Sequence, residues 1–256
     1  MRRVRSMEHV ATVVRAAFDL LFPPLCLVCG QPGAADRPSL CDACWRSIVR
    51  LGPPWCALCG RPFWILDAAG ARLDGHAPAD LCGACRRHRP AFTYGRSATL
   101  YGGAVREALH AFKFSGKTAL AAPLGDLLHD ACALGLPLAP HLVVPVPLHR
   151  GRERERGFNQ AALLAGRVAR RLGAPVATRV LCRVRSTRAQ ADLSGVERRT
   201  NVRGAFAVRD RAGLAGRHVL LVDDVLTTGA TLSECARVLI DAGALTVGAL
   251  TVARVT

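Results

Sequence analysis

From Phe92 onward, apolar runs of strand length alternate with longer segments whose apolar positions recur at helical spacing. Phe92 to Tyr101 predicts a strand, Gly102 to Phe114 a helix, Ala119 to Leu134 a second helix and Leu142 to Pro147 a second strand. Phe158 to Leu172 follows as an amphipathic helix and Val176 to Cys182 as a short strand. Val219 to Asp224 and Thr246 to Val252 read as strands on either side of a helical segment, LSECARVLIDAG. Val219 to Val222 is apolar without interruption, the pattern of a strand buried on both faces of a parallel sheet. Together these elements predict an α/β domain, a mostly parallel sheet covered by helices. At the other end, Val10, Val13, Val14, Ala17, Leu20 and Leu21 predict an amphipathic helix over residues 1–22. Arg15 and Asp19 interrupt its apolar stretch and no small-residue cleavage site follows, so it does not read as a signal peptide. No run of about 18 apolar residues exists, and no transmembrane helix is expected.

Between these regions the alternation stops and cysteine, glycine and proline take over. A chain of 256 residues accommodates a main domain and a small accessory one. The boundaries expected are 1–22 for the helix, 23–90 for a double ribbon and 91–256 for the α/β domain. Eight of the eleven cysteines form four Cys-x-x-Cys pairs: Cys26/Cys29, Cys41/Cys44, Cys56/Cys59 and Cys82/Cys85. A two-residue gap lets both thiolates reach one metal, whereas a disulfide framework has no reason to repeat that gap four times. The spacing predicts two structural Zn2+ sites of four thiolates each. An iron–sulfur cluster and redox dithiols are the alternatives, and neither requires four evenly built knuckles. Sequential and interleaved pairing both fit the spacing. Sequential pairing is adopted, because each consecutive couple encloses a short Gly/Pro-rich loop and the helical-looking WRSIVRL segment, Trp45 to Leu51, separates them. His76 and His88 then read as surface residues, and Cys132, Cys182 and Cys235 as small buried ones. Thiolate zinc implies a reducing compartment, so a cytoplasmic location is expected.

Charge adds a second theme. The net charge is +16, and all but two of the basic residues are arginines. Sixteen arginines face five acids between Arg150 and Arg211, enough to create a field for a polyanion or simply to decorate a solvated surface.

The chemistry concentrates after the apolar run at Val219. Asp223 and Asp224 emerge at its carboxyl end, where open α/β sheets place ligands. Thr227, Thr228, Gly229, Ala230 and Thr231 then lead into a helix, whose N-terminal N–H groups suit a phosphate. Carboxylates for a diol beside a turn for a phosphate describe a site for a phosphorylated sugar. A nucleotide-binding phosphate loop at Ser115-Gly116-Lys117-Thr118 fails, because the required earlier glycine is Ala111 and VREALHAF reads as a helix. The VDDVLTTGAT segment resembles the 5-phosphoribosyl-1-pyrophosphate (PRPP) motif of type I phosphoribosyltransferases. That resemblance implies that Asp223 and Asp224 hold the ribose hydroxyls and Thr227 to Thr231 the 5-phosphate.

Two more segments carry the resemblance further. VVPVPLHRGRERERGFNQ reads as a strand, a basic loop and a helix start, with Arg150, Arg152, Arg154 and Arg156 offering cations for a pyrophosphate. RVRSTRAQADLSGVERRTNVRGAF, residues 183–206, is a long polar connection of the kind that forms lids beside sites. With the cysteine pairs, HAFKFSGK and VDDVLTTGAT, these segments resemble the ComF family over nearly the whole chain from about residue 18. The resemblance implies a double zinc ribbon joined to a type I phosphoribosyltransferase-like fold, with Mg2+ accompanying PRPP. It also implies an association with DNA uptake, and so single-stranded DNA and the competence machinery as partners. Asp223, Asp224 and Arg198 are the expected catalytic residues, Arg156 with Thr227 to Thr231 the ligand-binding ones, and Lys113, Gln190 and Asn201 candidates for the acceptor side. Scarce aromatics, 5% of residues, argue against a dedicated single-strand stacking platform. A PRPP-sensing regulator is the remaining alternative to an enzyme.

Overall fold

The computed structural model describes residues 24–66, 72–73, 81–133, 135–186, 195–211 and 213–256. The helix expected over 1–22 lies outside them, as do His76 and Gln190.

Each ribbon half opens with the same knuckle. Cys26 N donates to Gln31 O at 2.7 Å and Gly30 N to Cys26 O at 2.9 Å, and Cys56 N to Arg61 O and Gly60 N to Cys56 O repeat both distances. The second knuckle of each half opens a short helix, α1 (Asp42–Arg46) and α2 (Gly83–Arg87), and the two-residue strands β1 (Ile65–Leu66) and β2 (Arg72–Leu73) lie between the last two knuckles. The helix expected over Trp45 to Leu51 ends at Arg46. Val49 and Leu51 instead run antiparallel to β3 (Tyr94–Leu100), with Leu100 N donating to Val49 O at 3.0 Å and Leu51 N to Ala98 O at 2.9 Å. β3 is an edge strand of the main sheet, and its free backbone groups draw the linker into pairing.

The α/β domain continues through α3 (Gly103–Phe114), α4 (Ala121–Ala133), β4 (Leu142–Pro145), α5 (Arg150–Arg156), α6 (Gln160–Leu172), β5 (Leu181–Arg183), α7 (Gly195–Val202), β6 (Phe206–Val208), β7 (His218–Leu226), α8 (Ala230–Asp241) and β8 (Thr246–Arg254). The central sheet is parallel in the order β3-β8-β7-β4, and β5 and β6 form a separate antiparallel pair. α4 and α6 cover one face, while α8 with the β5/β6 pair covers the other. Along β7, Leu220 and Val222 enter the first core and Val219 and Leu221 the second, the period-two alternation that an uninterrupted apolar strand makes possible.

Two expectations are corrected here. The stretch Val176 to Cys182 is mostly irregular: Val176 makes one bridge to Val143, and regular pairing starts only at Leu181. The basic loop after β4 is the helix α5. His149 caps it by accepting from Gly151 N at 3.3 Å, Glu153 lies in its first turn and Arg154 and Arg156 in its last, a charge order that suits the helix dipole. Upstream, α3 is helical through Ala111 to Phe114, so no strand feeds Ser115 to Thr118.

The second ribbon docks on the sheet through backbone. Gly95 N donates to Leu58 O at 2.6 Å, and a Cβ on Gly60 would stand 2.4 Å from Gly95 O. Only glycine permits that approach.

Candidate functional site

Asp223 and Asp224 occupy β7, which continues to Leu226 because Val225 and Leu226 still pair with Ala253 and Arg254 of β8. As neighbours in a strand they project to opposite faces of the sheet. Asp224 turns toward α3, where its Oδ1 lies 2.9 Å from Lys113 Nζ; its Oδ2 is buried and has no hydrogen-bond partner among the described residues. Arg156, at the end of α5, adds a second cation nearby. Burial holds its pKa below the usual arginine value, and the charge of Asp224 opposes that shift. Arg156 donates to Gln160 Oε1 and sits 5.4 Å above the ring of Phe114.

Asp223 faces the α8 layer, close to Arg183 and Cys235. Its Oδ1 accepts from Asp224 N at 2.9 Å. Burial first, then the charge of Asp224, pushes its carboxyl up to about 7, against the opposing pull of that N–H, Lys113 and Arg183. The side chain keeps some solvent contact, being half-buried at its surface although protein surrounds it closely. Near neutral pH this carboxyl therefore exchanges a proton easily.

The turn after β7 ends at Gly229, whose φ of 79° is left-handed. A Cβ there would make only ordinary contacts with Leu226 and Phe92, so the backbone angle rather than space demands glycine. Ser233 N donates to Gly229 O at 2.8 Å to start α8, and Thr228 Oγ1 accepts from Ala230 N at 3.4 Å. Thr228 is exposed and Thr227 half-buried, so both hydroxyl residues reach solvent at this helix N-terminus.

A cleft of about 980 Å³ reaches this turn from the ribbon side but does not include the two carboxylates. Its walls carry Arg61, Arg87, Arg89, Arg203, Arg237 and Arg254, with Glu234 among them. Arg237 holds Glu234 below the usual carboxylate range, aided by Gly204 N, which donates to Glu234 Oε1 at 2.8 Å. The end of α7 is thereby tied to the first turns of α8. Across the same segment, Arg185 donates to the carbonyls of Asn201 and Arg203 at 3.0 and 2.8 Å. Arg198 falls on α7 with its side chain outside the described residues, and residues 187–194 of the expected lid also lie outside them.

The cysteines gather as Cys26, Cys29, Cys41 and Cys44 in one cluster and Cys56, Cys59, Cys82 and Cys85 in the other, the sulfurs of each within 4.8 Å of one another. Cys29 and Cys41 stand 3.6 Å apart and Cys59 and Cys82 3.7 Å. A tetrahedral ion with bonds of about 2.3 Å separates its sulfurs by about 3.8 Å, so the residues present fit zinc. His88 is exposed and lines the cleft; Cys235 is buried and Cys182 half-buried, its thiol 3.5 Å from Ala207 O.

Residues 17–86 match the double zinc ribbon domain family, and residues 159–255 match the phosphoribosyl transferase domain family. A DNA utilization protein, YhgH of Salmonella typhi, is 35% identical across 89% of this chain and 96% of its own length. Competence protein F of Haemophilus influenzae is 32% identical across 64% of this chain and 77% of its own. The chain belongs to the ComF/YhgH family. Among solved structures, orotate phosphoribosyltransferase from Aeropyrum pernix is 20% identical, with 77% of this chain and 74% of that one covered at a TM-score of 0.33.

In this ComF-family chain, the parallel sheet carries a phosphoribosyltransferase-type domain and the two thiol clusters support structural zinc. The fold brings Arg156 and Lys113 to Asp224, with the turn at Thr227 to Thr231 following β7 directly in the chain. Lys113, a candidate for the acceptor side by sequence, stands on Asp224 instead. Arg183, the first residue of the long polar connection, and the Glu234–Arg237 pair carry no individual signal in the sequence, since neither belongs to a ligand-binding pattern. The signal available for Lys113 was its rarity: it is one of two lysines in a chain whose basicity is otherwise arginine.

Proposed function

We propose that this ComF-family protein binds PRPP or a closely related phosphorylated sugar with Mg2+, and that its chemistry is transfer of the phosphoribosyl group to an acceptor with release of pyrophosphate. Asp223 and Asp224 receive the ribose hydroxyls, Thr227 to Thr231 the 5-phosphate, and Arg156 with Arg198 of α7 the pyrophosphate. Bound Mg2+ would neutralise part of the pyrophosphate charge. The observation that carries the reading is the buried, unpartnered Oδ2 of Asp224, an acceptor held ready next to Lys113 and Arg156. A buried acceptor without a donor is costly, and a hydroxyl donor supplied by a ligand relieves that cost. As pyrophosphate departs, positive charge grows on the ribose ring, and the two carboxylates oppose it electrostatically while the arginines stabilise the leaving group. Eight thiols grouped as two zinc-type clusters favour a reducing compartment such as the cytoplasm for this chemistry.

Calorimetry with PRPP, with and without Mg2+, tests the binding, and pyrophosphate release across a panel of bases tests the transfer. Mg2+-dependent heat that disappears in the Asp223→Asn/Asp224→Asn variant supports the assignment; tight binding with no release from any acceptor supports a PRPP-sensing regulator instead.

The arginine-lined cleft favours a second reading, in which single-stranded DNA lies between the second ribbon and the phosphate turn. Two of its relatives are named for DNA utilization and competence. Phosphate contacts of this kind give affinity that falls steeply with salt. Binding of a single-stranded oligonucleotide whose salt slope flattens on neutralising Arg61, Arg87 and Arg89 supports it, and a slope unchanged by those substitutions removes it.

A further inference from the structure

Lys113 is the counter-ion of a carboxylate that the proposed ligand needs. Its Nζ lies 2.9 Å from Asp224 Oδ1, with 7% of the aspartate side chain and 21% of the lysine side chain left exposed. One oxygen of Asp224 is thus occupied by a cation while the other has no partner among the described residues. Lys113 sits in the last turn of α3 beside Phe114, which is 65% exposed and carries Arg156 over its ring. Two cations therefore stand near one buried carboxylate, one of them over the exposed Phe114 ring. A lysine ammonium on a flexible stem can change partners, whereas the Arg156 guanidinium is held by Gln160 and the Phe114 ring.

We propose that Lys113 is a positioning residue that exchanges partners. In the free protein its ammonium holds Asp224; when the ligand enters, it moves onto the pyrophosphate beside Arg156 and releases Oδ1 to a ribose hydroxyl. No covalent bond changes. The inference rests on the sugar-phosphate reading above and adds a source of specificity. A sugar carrying pyrophosphate gives the displaced ammonium a new anion, while ribose 5-phosphate must break the Lys113–Asp224 pair without that compensation. Discrimination between the two ligands then comes from the lysine, not from the fit of the ribose.

The test is calorimetry of the full chain with Mg-PRPP and with ribose 5-phosphate, comparing the wild type with Lys113→Met, Lys113→Gln and Lys113→Arg. Removing the charge should weaken Mg-PRPP about tenfold, the scale of one charge-assisted contact, and tighten ribose 5-phosphate about threefold because no ion pair has to break. Arginine should restore Mg-PRPP binding to within about threefold of the wild type. Glutamine keeps a donor for Asp224, so it carries the comparison if the methionine variant does not fold. Equal weakening of both ligands in Lys113→Gln, or no change in either, overturns the exchange while leaving the sugar-phosphate site standing. Failure of the wild type to bind either ligand overturns that site and the exchange with it.

Discussion

Arg254, the last residue of β8, donates from Nη1 to the carbonyl of Cys59 at 2.7 Å and so joins the end of the central sheet to the second thiol cluster. Its Nη2 lies 3.9 Å from Cys59 Sγ, and only 5% of the residue is exposed. The ribbon and the sheet therefore share a buried cation. Arg254→Leu should remove a charged hydrogen bond and leave the Cys59 carbonyl without its donor, a loss of about 2 kcal/mol. Denaturant unfolding followed by circular dichroism checks this, and a midpoint equal to the wild type would mean that the two parts are not coupled here.

Metal content gives an independent check on the ribbons. Elemental analysis should find two zinc ions per chain, since the sulfurs form two separate groups of four. Cys26→Ser/Cys29→Ser should leave one ion. Loss of both in that variant would mean that the clusters are not independent, and iron in place of zinc would contradict the tetrathiolate zinc assignment.

Asp223 makes stability depend on pH in an unusual direction for an aspartate. Its folded pKa of about 7 lies above the ordinary value of 3.8, so the folded state holds the proton more tightly than the unfolded one. Stability contributed by that proton is present at low pH and is lost as pH rises from about 4 through about 7. Asp223→Asn should accordingly raise the melting temperature most at about pH 8 and have little effect near pH 4. The groups that set this behaviour are Asp224, Lys113 and Arg183 around the carboxylate, with Cys235 of α8 beside it. A melting difference that is the same at both pH values would show that Asp223 titrates normally.

Ligand affinity should depend on the carboxylates much more than folding does. Asp223→Asn/Asp224→Asn should weaken PRPP by about 2–3 kcal/mol, the scale of lost charge-assisted hydrogen bonds. Cooperative unfolding should persist, because asparagine keeps the shape of both side chains and removes the like-charge contact between them. PRPP binding at wild-type strength in the double variant would place the sugar elsewhere.

What could be read from the chain was local. The apolar run Val219 to Val222 has no polar side and so belongs between two layers; the four Cys-x-x-Cys spacings predict metal knuckles; and two aspartates followed by a hydroxyl–glycine turn resemble a phosphosugar motif. Each signal needs only neighbouring residues, because strand alternation, ligand reach and turn geometry act over a few positions. The helical order within α5 is not legible for the opposite reason: alternating Arg and Glu carry no apolar period, and only the cap and the charge order at its ends support a helix.

Tertiary structure decided the rest. Val49 to Leu51 became a strand partner because β3 offered an unpaired edge, and β7 ran past Asp224 because β8 continued beside it. The two adjacent aspartates acquired different chemistry through distant residues. Asp224 meets Lys113 of α3, whereas Asp223 faces Arg183 and Cys235 on the other side of the sheet. Strand alternation sends the pair apart, but which cation waits on each face depends on how helices and strands far away in sequence pack, and that long-range placement is what turns a two-residue motif into one occupied carboxylate and one protonatable one.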